Sequence, residues 1–460
     1  MKKKFLLIPS YMILSILINY DIRKEPAPEV NWQKCIGGKK EDYFLSVIQL
    51  RDGNFLFCGG ADSKNGDFAG SGHGGTEAFL LKVDDNGRII WKQTYGGSRD
   101  EIFYNVMEAA NGEIIAIGTS GSNDQQVTNH HGAPGVDDIW LVKTDKNGKL
   151  LKERSYGGSE SETTIDITTN EGVLLDHNGD ILFVGETSSN DGDVSGNHGN
   201  YDGWIVKVNP TTFDIINSKT IGDANWDNPY NIYEINGALF VTGNKSTVPY
   251  TITNLDDVEN HGQGFATKLD ATTFNPFWYK TYGGSGSDYC NASVVTQDSN
   301  LVLTGHAAST DGDCIGNNGD FNTWTWKINA DNGNIIWKNF TGVAGDSTSA
   351  FNMTTTKDGG FLLGGIVVNS LDPLLPPDGY VVKLNSNGDT VWTKKMGGSG
   401  VDYFLGLVEK NDSRILLGGQ TYSPDLPGYH GGPFNTQRFR HYTDKKKSNT
   451  ASDAWMVELK

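Results

Sequence analysis

The chain has 460 residues, 37% of them hydrophobic, with 58 glycines and a net charge of −18 from 38 basic and 56 acidic side chains. So acidic a chain disfavours nonspecific nucleic-acid binding, which depends on Lys and Arg neutralising phosphate. The four cysteines, Cys35, Cys58, Cys290 and Cys314, show no CxxC or Cys/His zinc spacing.

Residues 1–18 open with Lys2 to Lys4 and continue as an apolar run from Phe5 to Ile18. That order of charge and apolarity predicts a signal peptide or short anchor, and the run is short for a membrane span of roughly 20 residues. Residues 19–29 are polar, contain two prolines and read as a linker. From Val30 onward one unit recurs. Its mark is the strand that holds Trp32, Trp91, Lys152, Asn217, Trp278, Trp337 and Trp392, at intervals of 55 to 65 residues. A fixed period of this size means an array of like supersecondary units.

Each unit carries four strand signals. The first follows an acid, as in Asp42-Tyr43-Phe44-Leu45 and Asp402-Tyr403-Phe404-Leu405. The second follows a turn and ends in glycine, as in Phe55 to Gly60 and Phe361 to Gly365. The third has an aromatic residue three before a lysine: Phe79/Lys82, Trp140/Lys143, Trp204/Lys207, Phe265/Lys268, Trp324/Lys327 and Tyr380/Lys383. In the last unit Trp455 is followed by Glu458 instead. The fourth strand is joined to the third by turns such as Asn86-Gly87, Asn147-Gly148, Asn332-Gly333 and Asn387-Gly388. Asn-Gly between apolar runs is a strong hairpin signal because both residues tolerate positive φ. Seven such units predict an all-β, seven-bladed β-propeller over residues 30–460, with four antiparallel strands per blade. The first unit begins with only a fourth strand and the last stops after a third. The N-terminal strand is therefore expected to complete the last blade and leave no open edge. The tryptophans of the fourth strand are expected to pack between blades, buried. The cysteines read as buried small residues, with Cys35–Cys58 and Cys290–Cys314 bridges as the alternatives.

In this strand order the fourth-to-first and second-to-third loops share one face, and only tight turns occupy the other. Loops on a rigid scaffold carry function, so a ligand site is expected on the long-loop face, near the central channel. An acid opens each first strand: Asp42, Glu101, Glu162, Asp227, Asp288, Asp346 and Asp402. These would ring the channel mouth, either as a cation or polar-ligand site or as acceptors for backbone N–H groups of a repeated turn. His-Gly recurs in the long loop at His73, His131, His198, His261 and His430, with Asn318 in the corresponding place of the fifth unit. Histidine can ligate a metal or titrate near neutral pH; the structural alternative is that each imidazole fixes its own loop. The loop from Asn190 to Gly199 is rich in oxygen ligands, and Asp191, Asp193 and Asn197 form a candidate calcium site. The alternative is an ordinary Asp-Gly turn. Residues 424–452 are an insertion with a basic run on an acidic chain, in which Arg438 and Arg440 are candidate contacts to an acidic partner or polysaccharide.

The run from Trp278 to Tyr289 (Trp-x-Lys-x-x-Gly-Gly-Ser-x-x-Asp-Tyr), the loop Ser189 to Gly199 and the hairpin Trp140 to Gly148 resemble the repeats of exported β-propeller proteins common in Bacteroidetes. Those proteins are often labelled lipoproteins or bulb-type-lectin-like, and the resemblance covers about residues 31–460. It implies export to the cell envelope, cell surface or medium; no cysteine precedes Cys35 to take a lipid. The Asp-x-Asn-Gly-x-x-x-Trp element ending at Trp91 also resembles repeats of pyrroloquinoline-quinone dehydrogenases, although those have eight blades. No nucleophile relay or acid/base pair stands out from the repeat. The expectation is an exported, monomeric, non-catalytic scaffold that binds a protein or polysaccharide partner at the envelope through its long-loop face. No firm cofactor is expected beyond calcium, and membrane contact is expected only through the N-terminal segment. The alternative is a quinoprotein-like or glycan-active propeller enzyme.

Overall fold

A computed structural model describes residues 25–70, 72–164, 172–247, 262–319, 321–342, 345–370, 372, 375–431 and 451–460. The segments read as a signal peptide, with most of the linker, lie outside these residues. So do His261, Arg438 and Arg440.

Seven antiparallel sheets form the blades of a ring. Blade 1 spans residues 42–95, blade 2 101–156, blade 3 162–221, blade 4 227–282, blade 5 288–341, blade 6 346–396 and blade 7 402–459 with the N-terminal strand. In blade 1 the strands run outward from the channel in chain order: Asp42–Gln49, Phe55–Ala61, Glu77–Val83 and Ile89–Tyr95. The seventh blade is closed by Val30–Ile36, which pairs antiparallel with Asp453–Leu459 and sets Cys35 opposite Trp455. Backbone bonds between Glu29 and Lys460 (3.0 and 2.8 Å) extend that ladder by one step. The expected closure is what the chain adopts.

The two middle strands of each blade are covered on both faces by neighbouring blades. That is why Phe55–Ala61 and Glu77–Val83 are buried along their whole length and read as continuous apolar runs. The outer strand Ile89–Tyr95 is exposed at its start and buried only at Tyr95. The core consequently lies between blades. One cluster joins Leu56, Leu80 and Tyr95 of blade 1 to Phe103 and Trp140 of blade 2. Another joins Phe404 and Trp455 of blade 7 to Val381 and Trp392 of blade 6.

Two repeated devices hold neighbouring elements in register. The lysine of the third strand reaches the acid of the turn between first and second strands: Lys82 to Asp52 at 2.5 Å, Lys327 to Asp298 at 2.7 Å and Lys383 to Asp358 at 2.8 Å. Blade 7 inverts the signs, with Glu458 on the third strand and Lys410 and Arg414 at the turn. This accounts for the one repeat whose aromatic is followed by an acid. The second device couples a blade to the next one. Trp91 and Tyr95 both dock on the Asn-Gly turn of blade 2. A Cβ on Gly148 (φ +80°) would lie 2.9 Å from the indole, and the Tyr95 hydroxyl donates to the Gly148 carbonyl at 2.5 Å. Trp278 and Tyr282 repeat this on Gly333.

These contacts place the fourth-strand tryptophans between blades as expected, but not buried as deeply. Trp91, Trp278 and Trp337 remain part-exposed and only Trp392 is buried. The fully buried indoles are Trp140, Trp204, Trp324, Trp326 and Trp455 on third strands. The outer strand has a neighbour on one side only, so its indole covers a turn and still meets water. All four cysteines are free and buried, so Cys290 and Cys314 form no bridge. Burial pushes their thiols well above the ordinary range.

Candidate site at the channel mouth

The two long-loop sets do share a face and are tied to each other. After each Gly-Gly, the next backbone N–H donates to an Asp or Asn of the second-to-third loop. Lys39 N–H binds Asn65 at 2.9 Å, Ser98 binds Asp124 at 2.8 Å, Ser285 binds Asp311 at 2.7 Å and Ser399 binds Asp425 at 2.8 Å.

The acids that open the first strands face away from the channel. Asp42, Glu162, Asp288 and Asp402 are fully buried and Glu101 and Asp227 nearly so. Each accepts the N–H four residues earlier: Gly38 to Asp42 at 2.9 Å, Gly97 to Glu101 at 2.8 Å, Gly158 to Glu162 at 2.8 Å, Asp223 to Asp227 at 2.9 Å, Gly284 to Asp288 at 2.8 Å and Gly398 to Asp402 at 2.8 Å. A serine of the second-to-third loop completes several of these sites, such as Ser309 and Ser423. Burial pushes the Asp42 carboxyl up to about 7 and that of Asp402 up to about 6, against the pull of these donors. Asp346, in a blade with a different approach loop, stays part-exposed.

The His-Gly residues among the described ones each pair with the carboxylate that opens the third strand of their own blade. His73 meets Glu77 (Nδ1–Oε2 2.6 Å), His131 meets Asp138 (3.0 Å), His198 meets Asp202 (2.6 Å) and His430 meets Asp453 (2.9 Å); in every case the backbone N–H of the histidine binds the same side chain. In blade 5 Asn318 takes the same place and accepts from Asn322 at 2.6 Å. The Asp138 partnership pushes the His131 imidazole above its usual value. These four histidines are loop staples, each within its own blade, and the structure does not gather them.

The candidate calcium residues are engaged separately. Asp191 accepts from Ser159 N–H at 2.7 Å, Asp193 faces Arg154 at 3.3 Å, and the Asn197 amide donates to the carbonyls of Thr187 and Ser189 at 3.2 and 3.1 Å. Among the described residues no group of three or more His, Cys, Asp or Glu side chains is placed to hold a metal ion.

What lines the channel mouth in blades 1, 2 and 7 is the pleat partner of the acid and, there and in blade 6, a bulged residue. The ladder between first and second strands slips by one residue at Phe44/Ser46, Phe103/Asn105, Pro229/Asn231, Cys290/Ala292, Ala350/Asn352 and Phe404/Gly406. The residues left over are Leu45, Tyr104, Tyr230, Asn291, Phe351 and Leu405. A bulge re-aims the side chain it leaves unpaired. Across blades 6, 7, 1 and 2 the outcome is a cavity of about 340 Å³ at the mouth. Bulged Leu45, Tyr104, Phe351 and Leu405 line it, together with the acid-adjacent Tyr43, Ile102 and Tyr403. Glu41, Gln420 and Tyr422 complete the rim. Gln420 is spent on this wall: it accepts from the Tyr403 hydroxyl and donates to Ser452 Oγ at 2.5 Å and Tyr422 Oη at 3.2 Å. Sequence reasoning missed these residues because it followed the acid of each Asp-Tyr pair. The signal was the aromatic beside it, in Asp42-Tyr43, Asp288-Tyr289 and Asp402-Tyr403.

No protein-family model matches the chain, and no curated protein matches its sequence. Among solved structures it is similar to the Neurospora crassa Pan2 WD40 domain, with 8% identity over 90% of this chain and 89% of that one and a TM-score of 0.47. It is also similar to a europium-containing methanol dehydrogenase (10% identity, 94% and 92% covered, TM-score 0.44) and to the Dos1 propeller (9%, 84% and 93%, TM-score 0.41). These likenesses concern architecture alone.

Proposed function

We propose that this chain is an exported, non-catalytic β-propeller that binds a protein or glycan partner through its long-loop face, with the channel-mouth cavity seating one group of that partner. One observation carries the reading: bulges in four inner strands turn apolar and aromatic side chains into a cavity of about 340 Å³, within the usual range for ligand pockets of roughly 300–1,000 Å³. A ring that served only as a spacer would gain nothing from exposing Phe351 and Tyr403 there. The charged and apolar order of residues 1–18 supports the export reading, and the basic run with Arg438 and Arg440 is a second candidate contact region in the sequence. The alternative, a quinoprotein-like or glycan-active enzyme, calls for paired carboxylates or cofactor ligands at this mouth. Glu41 is the one carboxylate among the described lining residues.

The test is interaction with envelope extract and glycan arrays using the intact protein, a Phe351→Ser variant and a variant of the opposite face such as Asn147→Lys. Loss of the interaction in Phe351→Ser alone supports the mouth as the working site. Loss in Asn147→Lys alone reverses the assignment of the face.

A further inference from the structure

We infer that the mouth cavity takes an organic cation, specifically a trimethylammonium group, held by the rings of Tyr43, Tyr104, Phe351 and Tyr403 and by the carboxylate of Glu41. The inference rests on the reading of the mouth as a binding site and names the chemistry of its occupant.

Three features of the wall converge on this class. The first is its composition. Five aromatic rings, Tyr422 at the rim and the other four from four different blades, share the cavity with the aliphatic side chains of Leu45, Ile102 and Leu405. Aromatic faces attract cations, most strongly where water is excluded, and cages of such rings are the recurring solution for quaternary ammonium. The second is the state of Glu41. Asp62 N–H donates to its carbonyl at 2.8 Å, and the adjacent Asp42 N–H binds Ser452 at 3.0 Å, so the backbone on both sides is fixed. Among the described residues no Lys, Arg or His forms an ion pair with the Glu41 carboxylate, and the charge acting on it is that of Asp62, which repels. Burial and that repulsion push its carboxyl up. A bound cation would counter the repulsion from Asp62. The third is the engagement of the Gln420 amide. The Gln420 amide is committed at both ends to Tyr403, Tyr422 and Ser452. A sugar hydroxyl set against Leu45, Phe351 or Leu405 would lose its partners at a cost, and the Gln420 amide has no bond to spare for it. A trimethylammonium group makes no such demand, because it has no donor or acceptor to satisfy. The chain's net charge of −18 adds long-range attraction for a cation.

Calorimetric titration with choline and with its uncharged isostere 3,3-dimethylbutan-1-ol separates charge from shape. Choline is expected to bind the intact protein about tenfold or more tightly than the isostere, the size of a cation–π and carboxylate contribution. Glu41→Gln should weaken choline about tenfold and leave the isostere unchanged. Phe351→Leu, which keeps the site apolar, should weaken choline selectively. Circular dichroism melting of both variants checks that the ring is intact. Equal affinity for choline and the isostere would overturn the cation inference while leaving the mouth as a binding site. A disaccharide that binds the intact protein but not Phe351→Leu, with choline inert, would do the same in favour of a glycan. Phosphorylcholine binding more tightly than choline would replace a free cation by a zwitterionic headgroup and overturn the assignment as stated. If no probe binds, the inference falls, and the Phe351→Ser interaction test decides separately whether the mouth is the working site.

Discussion

Glu458 offers the sharpest test of how the ring is closed. It lies on Asp453–Leu459, the strand that receives the N-terminal Val30–Ile36, and it is fully buried. Its carboxylate pairs with Lys410, itself only 1% exposed, and takes two bonds of 2.8 Å from the Arg414 guanidinium. Asn31 of the N-terminal strand donates to it at 2.6 Å, and Lys410 also reaches Asp85 of blade 1 at 2.6 Å. One carboxylate thus joins the last blade, its closing strand and the first blade. Removing one partner of a buried ion pair costs about 3–5 kcal/mol, because the other charge stays behind without compensation. Asp85 remains to hold part of that charge, so Glu458→Gln should fall near the low end, about 3 kcal/mol. Equilibrium urea unfolding reads this as a lower midpoint with unchanged slope. Lys410→Met combined with Glu458→Gln should lose less than the sum of the single variants, since the stranded charge is gone. Strict additivity, or a loss below about 1 kcal/mol for Glu458→Gln, would refute the reasoning and make the cluster a solvated surface pair.

Deleting residues 30–38 should expose the edge of Asp453–Leu459 and produce aggregation or loss of cooperative melting; a variant that melts like the parent would refute closure. The buried acids fix the sign of the pH dependence. The folded-state values of Asp42 and Asp402, about 7 and 6, lie above the unfolded value near 3.9. Their contribution is therefore complete below about pH 4 and is lost as pH rises toward 7. The Asp358 carboxyl, lowered to about 2 by Lys383 and its other donors, has finished its opposite effect below that window. Urea midpoints should fall between pH 5 and 7.5, and Asp42→Asn should flatten the slope; a rise over that range would contradict the assignment. Trp204→Ala should cost about 3–5 kcal/mol, whereas the part-exposed Trp337, changed to alanine, should cost roughly half as much; equal losses would mean that the outer indole carries more of the packing than its exposure implies. Calcium should leave the melting temperature unchanged, because Asp191, Asp193 and Asn197 already have protein partners, and a clear rise with calcium over chelator would restore the loop as a metal site.

The repeat itself was legible in the chain. The Trp-Lys-Tyr-Gly-Gly strand, the Asn-Gly turns and the split between first and last units determined seven blades and their closure, because each is a local instruction about strand, turn or edge. Whether an acid and a histidine that recur once per unit make a site or a scaffold could not be read the same way. Both alternatives demand the same residues at the same spacing, and only the fold shows that Asp42 accepts Gly38 N–H and His73 grips Glu77. The depth of the tryptophans was likewise a tertiary matter: Trp204 has blades on both sides and Trp337 on one. The mouth cavity depended most on the fold. Tyr104 and Phe351 sit in stretches that look like any inner strand, and a one-residue slip against the neighbouring strand is what turns them toward the channel. That slip belongs to a pairing between strands, so it exists only once the sheets have formed and the ring has brought four of them around the same space.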